Sequence, residues 1–237
     1  MDPIAELKGV TREYRQGEIS VHALRGVDLV LGRGEFAAMA GPSGSGKSTL
    51  LNILGGLDRA TSGTIRVDGK DLSELSNGEL SRLRRDRIGF VFQNYNLIPV
   101  LTALENAEYV LLLRGVPIKE RRERVRALLE QVGLGGLENR FPRELSGGQQ
   151  QRVAIARAIV AEPALVLADE PTANVDSKTG AQLLDLMHHL HHDKKITFLF
   201  STHDRNVMVR AERLLILKDG QIVADGKPAD VMNHNSK

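Results

Sequence analysis

The stretch Gly41-Pro42-Ser43-Gly44-Ser45-Gly46-Lys47-Ser48, followed by Thr49, fits the pattern G-x-x-x-x-G-K-[ST]. The chemistry it suits is anion capture. Glycines let backbone N–H groups curl around a phosphate without Cβ clashes. A helix after the loop directs its partially positive end at the same point. Lys47 has the reach to meet β- and γ-phosphates, and the Ser48 hydroxyl can ligate Mg²⁺. A flexible Gly/Ser linker would share this composition. The context argues against it: the short apolar run Glu35 to Ala40 reads as a buried strand before the loop, and Ser48 to Leu57 reads as a helix after it.

A second candidate lies further along. The apolar run Ala164 to Ala168 ends in Asp169-Glu170-Pro171. In parallel sheets, ligands sit at the carboxyl ends of strands. Read together with the phosphate loop, Asp169 would hold Mg²⁺ through water and Glu170 would act as general base on an attacking water. Taken alone, D-E-P is equally a surface turn.

The third pattern, Leu145-Ser146-Gly147-Gly148-Gln149, stands before a helical stretch read as Gln149 to Ala161, shortly ahead of the acidic pair. With this set the chain resembles the ABC ATPases over essentially its whole length. The resemblance implies ATP and Mg²⁺ as cofactors, hydrolysis of ATP, and a homodimer with ATP sandwiched between subunits. Ser146, Gly147 and Gly148 of one subunit would meet the γ-phosphate held by the other, with Gln149 counted among the nucleotide-binding residues. It further assigns Tyr14 as the aromatic stacked on adenine, Gln93 as a Mg²⁺ and water sensor, Asp176 to a loop between nucleotide sites, and His203 as the γ-phosphate switch. The residue types agree with these roles and also with plainer ones. A Tyr ring suits a purine face or the margin of a core. A Gln can bind metal and accept from water or close a strand-end hydrogen bond. His203 follows the apolar run Ile196–Phe200 through Ser201-Thr202, which puts it at a strand end. The cluster His188, His189, His191 and His192 suits metal binding or a solvated helix end, and the solvated end is the expectation.

The strings Leu51 to Asp58, Phe92 to Pro99 and Leu101 to Asn106 resemble the bacterial lipoprotein-releasing and macrolide-exporting (LolD/MacB-like) branch. This implies membrane permease subunits as partners, docking near Asn94–Leu101 through Tyr95, Leu97, Ile98 and Val100. The same side chains would serve equally as core of a helical insert. Ala173-Asn174-Val175-Asp176 departs from the commoner S-A-L-D but keeps Asp176.

The elements that must carry these residues alternate along the chain. Ile4 to Val10 and Ser20 to Leu24 have the period of strands, Thr64 to Val67 followed by Asp68-Gly69 reads as an edge strand and turn, and Ile88 to Phe92 as a strand. Thr102 to Arg114 and Ile118 to Val132 have helical periodicity, broken by Gly133, Gly135-Gly136 and Pro142. Strands return at Ala164–Ala168, Ile196–Phe200 and Leu214–Leu217, with helical stretches at Lys178 to His192 and Asp204 to Ala211 between them. The fold class is α/β: a P-loop NTPase core with a largely parallel sheet, to which the resemblance adds an N-terminal antiparallel β subdomain and an inserted α-helical subdomain. We expect one domain over 1–237, with residues 1–93 and 162–237 forming the core and 94–161 the insert.

Composition excludes several alternatives. Of 237 residues, 32 are Lys or Arg and 30 are Asp or Glu, a net of +2, which makes no case for a nucleic-acid partner. There is no cysteine, so thiol catalysis and Cys-based metal sites are out. The N-terminus has no signal-peptide pattern. The longest uncharged run, Ile88 to Leu104, contains Gln93, Asn94, Asn96 and Pro99 and is too polar to span a bilayer. The expectation is a cytoplasmic protein, peripheral on the cytoplasmic face of a bacterial inner membrane, that drives export or lipoprotein release. A non-transport mechanical ATPase would use the same residues. A kinase or GTPase would share only the phosphate loop, and no base-reading N-K-x-D stretch occurs.

Overall fold

The computed structural model describes residues 2–17 and 19–234, so positions 1, 18 and 235–237 of the expected domain lie outside it. The chain opens with two long antiparallel strands, β1 (Ala5–Gln16) and β2 (Ile19–Leu31). Both run well past the segments whose alternation is visible in the sequence. Register shifts between Leu7 and Thr11 and between Arg12 and Glu13 bulge the pair and break strict period-two patterning. Next come β3 (Phe36–Ala40), α1 (Lys47–Leu54), β4 (Ser62–Val67), β5 (Lys70–Asp71), α2 (Asn77–Arg87) and β6 (Ile88–Val91). A helical block follows, with α3 (Ala103–Leu113), α4 (Ile118–Gln131), a 3-10 turn at Pro142–Glu144 and α5 (Gly147–Ile159). The chain then returns to alternation through β7 (Leu165–Asp169), α6 (Ser177–Lys194), β8 (Thr197–Thr202), α7 (Arg205–Arg210), β9 (Arg213–Lys218), β10 (Gln221–Gly226) and α8 (Pro228–His234).

The strands form two sheets. One is antiparallel, in the order β2-β1-β4-β5, and the other has the order β10-β9-β3-β8-β7-β6. In the second sheet only β10 runs antiparallel to its neighbour. Residues Thr64 to Val67 are therefore not at an edge: β4 pairs with β1 on one side, and the two-residue β5 takes the edge. Helix α2, rich in Arg, has a weak apolar pattern. It is started by a capping box in which Ser76 and Glu79 satisfy each other's backbone N–H, and it buries only Leu80 and Leu83. Among the described residues no helix is long and apolar enough to cross a membrane.

The parallel sheet is buried on both faces, which is why β3, β7 and β8 read as nearly unbroken apolar runs. Phe36, Ala38 and Ala40 face the core shared with α3 to α6, where Phe36, Phe198 and Phe200 pack ring against ring at 4.7–5.6 Å. Ala37 and Met39 face the other core, with α1 and the antiparallel sheet. His191 belongs to the first of these cores. It is buried, its Nδ1 lies 2.8 Å from the Ile196 carbonyl oxygen, and its ring packs on Phe36 at 5.2 Å. The expectation of a solvated histidine cluster is corrected there, because α6 turns His191 inward onto Phe36 and leaves half-buried His188 edge-on against the same ring.

Within the helical block, buried Asn106 holds the loop that precedes α3. Its Oδ1 accepts from the Ile98 N–H at 2.7 Å, and its Nδ2 donates to the carbonyls of Ile98, Leu101 and Thr102 at 3.1, 2.9 and 3.1 Å. Asn106→Ala removes the partners of the Ile98 N–H and the Leu101 carbonyl, a cost of about 1–3 kcal/mol, whereas the carbonyls of Ile98 and Thr102 keep their bonds from the N–H groups of Leu101 and Asn106. The expected outcome is a lower urea midpoint with new proteolytic cleavage confined to residues 96–102; an unchanged midpoint would show that water replaces the amide.

Candidate functional site

The geometry of the site follows from strand register. Ala40 pairs with Thr202, Asp169 with Ser201 and Val91 with Ala168, so β3, β6, β7 and β8 all end on one edge. The loops leaving that edge carry Gly41–Ser48, Gln93, Glu170 and His203. With Thr49, Ser201 and the β2 residues Val21, His22 and Ala23 they surround a cleft of about 700 Å³.

Gly46 is the turning point of the phosphate loop. It sits at φ 105°, in the left-handed region, and caps α1. A Cβ there would lie 2.4 Å from the Ala23 carbonyl oxygen, so neither its conformation nor its space admits a side chain. The first N–H groups of α1 have no intrahelical acceptor and belong to cleft residues. Lys47 is largely buried and folds back over the loop, donating to the carbonyls of Gly41 (2.7 Å) and Pro42 (3.0 Å). The Ser45 hydroxyl is buried with no hydrogen-bond partner among the described residues. A helix terminus and an ammonium around one cavity make a donor set that fits a polyphosphate, with the Ser45 hydroxyl buried within the loop and not on the cavity wall. The Ser48 and Ser201 hydroxyls both donate to Asp169 Oδ1, at 3.2 and 2.7 Å. These oxygen donors fit a hard cation of the Mg²⁺ kind.

Glu170 holds φ 46°, an uncommon conformation for a residue with a side chain. Its N–H is fixed on the Ser201 carbonyl at 2.9 Å. This turn out of β7 shields the carboxylate (15% exposed) and brings Oε1 to 2.8 Å from Nδ1 of His203, which is itself 72% exposed.

Gln93 stands on the cleft wall. Its backbone carbonyl accepts from Asn174 Nδ2 at 3.0 Å; the same amide donates to Asn94 Oδ1 at 3.0 Å, and the Asn174 carbonyl accepts from the Tyr95 hydroxyl at 3.0 Å. Tyr95 and Asn96 both have positive φ, and Arg157 of α5 donates to their two carbonyls at 2.8 and 2.5 Å. Burial pushes the Arg157 guanidinium below its ordinary range and the Tyr95 phenol above its own. The loop after β6 is thus clamped from two sides. Asn174, the departure from the usual motif, supplies one of the clamps.

A second concavity, of about 380 Å³, is lined by Ser146, Gly147, Gly148, Gln149, Asn174, Val175, Asp176 and Thr179. Helix α5 starts two residues earlier than its periodicity suggests, because Ser146 and Gln149 form a capping box and the two glycines occupy the first turn. A Cβ on Gly148 would lie 2.5 Å from Thr179 Cγ2, so glycine here lets α5 approach α6. Asp176 caps α6, accepting from the Thr179 hydroxyl (2.6 Å) and from the N–H groups of Thr179 and Lys178. These bonds, the hydroxyl first, hold its carboxyl below the usual range. Ser146–Gln149 and Asp176 therefore come together, but in a concavity that shares no lining residue with the phosphate-loop cleft.

Tyr14 lies opposite Val21 in the β1–β2 pair, one strand away from the residues that line the cleft. Its hydroxyl donates to Asp58 at 2.7 Å, and the Arg12 guanidinium covers one ring face at 4.3 Å. Leu97 packs against the helical core, whereas Val100 is 77% exposed. Two features had no signal in any single stretch of sequence. One is the β2 wall of the cleft. The other is an apolar groove of about 370 Å³ between α2, α3 and α5, lined by Leu57, Phe90, Phe92, Val110, Leu113 and Arg157 among others.

A phosphate cradle on the carboxyl edge of a parallel sheet, backed by an acidic pair, defines a P-loop nucleotide-binding protein. Comparison with known proteins narrows this. Residues 24–173 match the family described as ABC transporter. The chain is 49% identical over 230 residues to a macrolide export ATP-binding/permease protein of Paracoccus denitrificans, covering 96% of this chain and 34% of that protein. It is 47% identical over 226 residues to the uncharacterised ABC transporter ATP-binding protein MJ0796 of Methanocaldococcus jannaschii, covering 94% and 96%. Two solved dimeric structures of MJ0796 match at TM-scores of 0.89 and 0.88 with 46% identity, over 94% of this chain and 98% of theirs; the second is a post-hydrolysis state bound to ADP and Pi. The chain belongs to the ATP-binding cassettes of the ABC transporter family, in the LolD/MacB-like branch. It spans about a third (34%) of the length of the Paracoccus macrolide-export relative.

The cradle yields a paired prediction. Gly46→Ala should destabilise the fold by about 2 kcal/mol or more and abolish the rise in melting temperature caused by ATP. Gly69→Ala also replaces a positive-φ glycine (77°) but meets nothing within 4 Å. It should cost only about 1 kcal/mol and keep the full ATP response. Equal responses in the two variants would contradict the cradle's geometry.

Proposed function

We propose that this chain is the ATP-hydrolysing, Mg²⁺-dependent subunit of an exporter or lipoprotein-releasing transporter, and that it works as an ATP-dependent homodimer on permease subunits at the cytoplasmic face of the membrane. The observation that carries this reading is the separation of the two concavities. The cleft with Lys47 and Glu170 and the concavity with Ser146–Gln149 and Asp176 are each half of a nucleotide site. A head-to-tail pair of chains would close both. The dimeric MJ0796 structures support the pairing, and the ATP-binding/permease relatives support a membrane partner.

In this reading the residues divide the work. Tyr14 offers its ring face away from Arg12 to adenine. Lys47 and the α1 terminus bind the phosphates. Ser48, Asp169 and the Gln93 side chain would hold Mg²⁺, which when bound neutralises charge on the β- and γ-phosphate oxygens. His203 holds Glu170 through Nδ1 at Oε1 (2.8 Å) and more loosely through its backbone N–H at Oε2 (3.4 Å), and the carboxylate so positioned takes the proton from the attacking water. Ser146, Gly147, Gly148 and Gln149 of the partner close over the γ-phosphate. Loss of that phosphate removes the bridge, and the subunits separate. Asn174 and Tyr95 tie the Gln93 loop to the signature concavity, so closure at the nucleotide is felt in the helical block. Residues 94–161 act as the coupling insert, with the permease docking at Asn94–Leu101 and in the adjacent apolar groove.

Two measurements test this. Glu170→Gln should lower kcat about 10²–10⁴-fold and accumulate an ATP-bound dimer in size-exclusion chromatography; normal turnover would remove Glu170 as the base. Leu113→Glu, at an exposed position of the groove (52%), should keep the ATPase activity of the isolated chain and lose copurification with the permease. Retained copurification would move docking away from the groove.

A further inference from the structure

The histidines of α6 have no part in the nucleotide site. They lie by the start of β3 and β9, at the opposite edge of the sheet from the cleft, which opens where β3 and β8 end. His188 and His192 are one helical turn apart, so their side chains share a face, and their ring centroids are 4.4 Å apart. Glu212, the residue before β9, reaches the same place. One ligand atom from each of His188, His192 and Glu212 lies within 4.8 Å of the other two.

The three are held on rigid supports. His188 is half-buried and rests edge-on against Phe36 at 5.2 Å. The Glu212 backbone is fixed to the sheet by its N–H on the Phe36 carbonyl at 2.8 Å. His191, between the two histidines, turns inward on the Ile196 carbonyl and is not available as a ligand through Nδ1. His192 and Glu212 are exposed, and the Glu212 carboxylate is held by long contacts, its Oε2 accepting from the Phe36 N–H at 3.4 Å and its Oε1 lying 3.7 Å from His191 Nε2. Rotamer changes of these two exposed side chains, at the expense of those long contacts, would bring the ligand atoms to the roughly 3.3 Å separations that a tetrahedral ion with 2.0–2.1 Å bonds requires.

We propose that His188, His192 and Glu212 bind a divalent transition-metal ion of the Zn²⁺ class. Two imidazole nitrogens and one carboxylate oxygen form a three-ligand set, completed by water. Imidazole selects this class over Mg²⁺ and Ca²⁺, which prefer oxygen, so the site is chemically distinct from the Mg²⁺ position at Ser48 and Asp169. Burial and the neighbouring imidazoles hold His188 below the ordinary histidine range. The ion staples the last turn of α6 to the start of β9. Helix α6 is 18 residues long, about 27 Å at 1.5 Å per residue, and its other end is capped by Asp176 of the signature concavity. The staple therefore stiffens the element that carries Asp176.

The test uses tag-free protein stripped with chelator, without nucleotide, titrated with ZnCl₂ alone in a calorimeter and in thermal melts, with Co²⁺ as a spectroscopic substitute. Wild type should bind one equivalent and gain roughly 5–10 °C in melting temperature at a free concentration about a hundredfold above Kd. His192→Gln and Glu212→Gln alter exposed positions and should melt like wild type without metal, yet each should lose the stoichiometric binding and the shift. Co²⁺ should give a tetrahedral visible spectrum in wild type alone. No binding by wild type, or binding equally strong in both variants, would overturn the proposal.

Discussion

Everything at the nucleotide cleft depends on the register of four parallel strands. Because both faces of β3 are buried, a one-residue slip would send Phe36, Ala38 and Ala40 into the core shaped for Ala37 and Met39. That penalty holds Ala40 against Thr202 and Asp169 against Ser201. It also decides where the phosphate loop, the acidic pair and His203 emerge. The Ser201 hydroxyl makes the link explicit: its residue is paired with Asp169 in the sheet, and it donates to the same carboxylate at 2.7 Å.

The helical block answers to a different constraint. Its contact with the cleft is made by backbone polar groups of the loop after β6, which carries two residues at positive φ. Arg157 and Asn174 satisfy those groups, and buried Asn106 satisfies the stretch that follows. A short connection tied to its neighbours through these hydrogen bonds is suited to move while the sheet stays fixed. Its two anchors lead to the two surfaces such movement would join, the signature concavity and the apolar groove.

Features confined to one contiguous stretch were readable in the sequence. The phosphate loop, Asp169-Glu170 and Ser146–Gln149 each combine a distinctive composition with a local backbone demand, and the buried strands announce themselves as apolar runs. Features made by distant segments were not. The bulges of β1 and β2 blur the alternation that marks a strand. Helix α2 buries only two side chains, and β10 alternates on a half-covered edge, so neither has a strong pattern. The burial of His191 depends on Phe36 from a strand far away in sequence. The bond from the Tyr14 hydroxyl to Asp58 and the wall of the apolar groove likewise arise only on folding.

The central claim is that the nucleotide site is completed by a second chain. The most direct test mixes two variants in a Glu170→Gln background that retains ATP. One carries Ser146→Arg, with an intact cradle and a spoiled signature; the other carries Lys47→Ala, with the reverse. If the site forms between chains, each variant alone stays monomeric with ATP, while the mixture forms a heterodimer that traps one ATP at its single intact composite site. A mixture that stays monomeric and retains no more ATP than the separate variants would contradict the account.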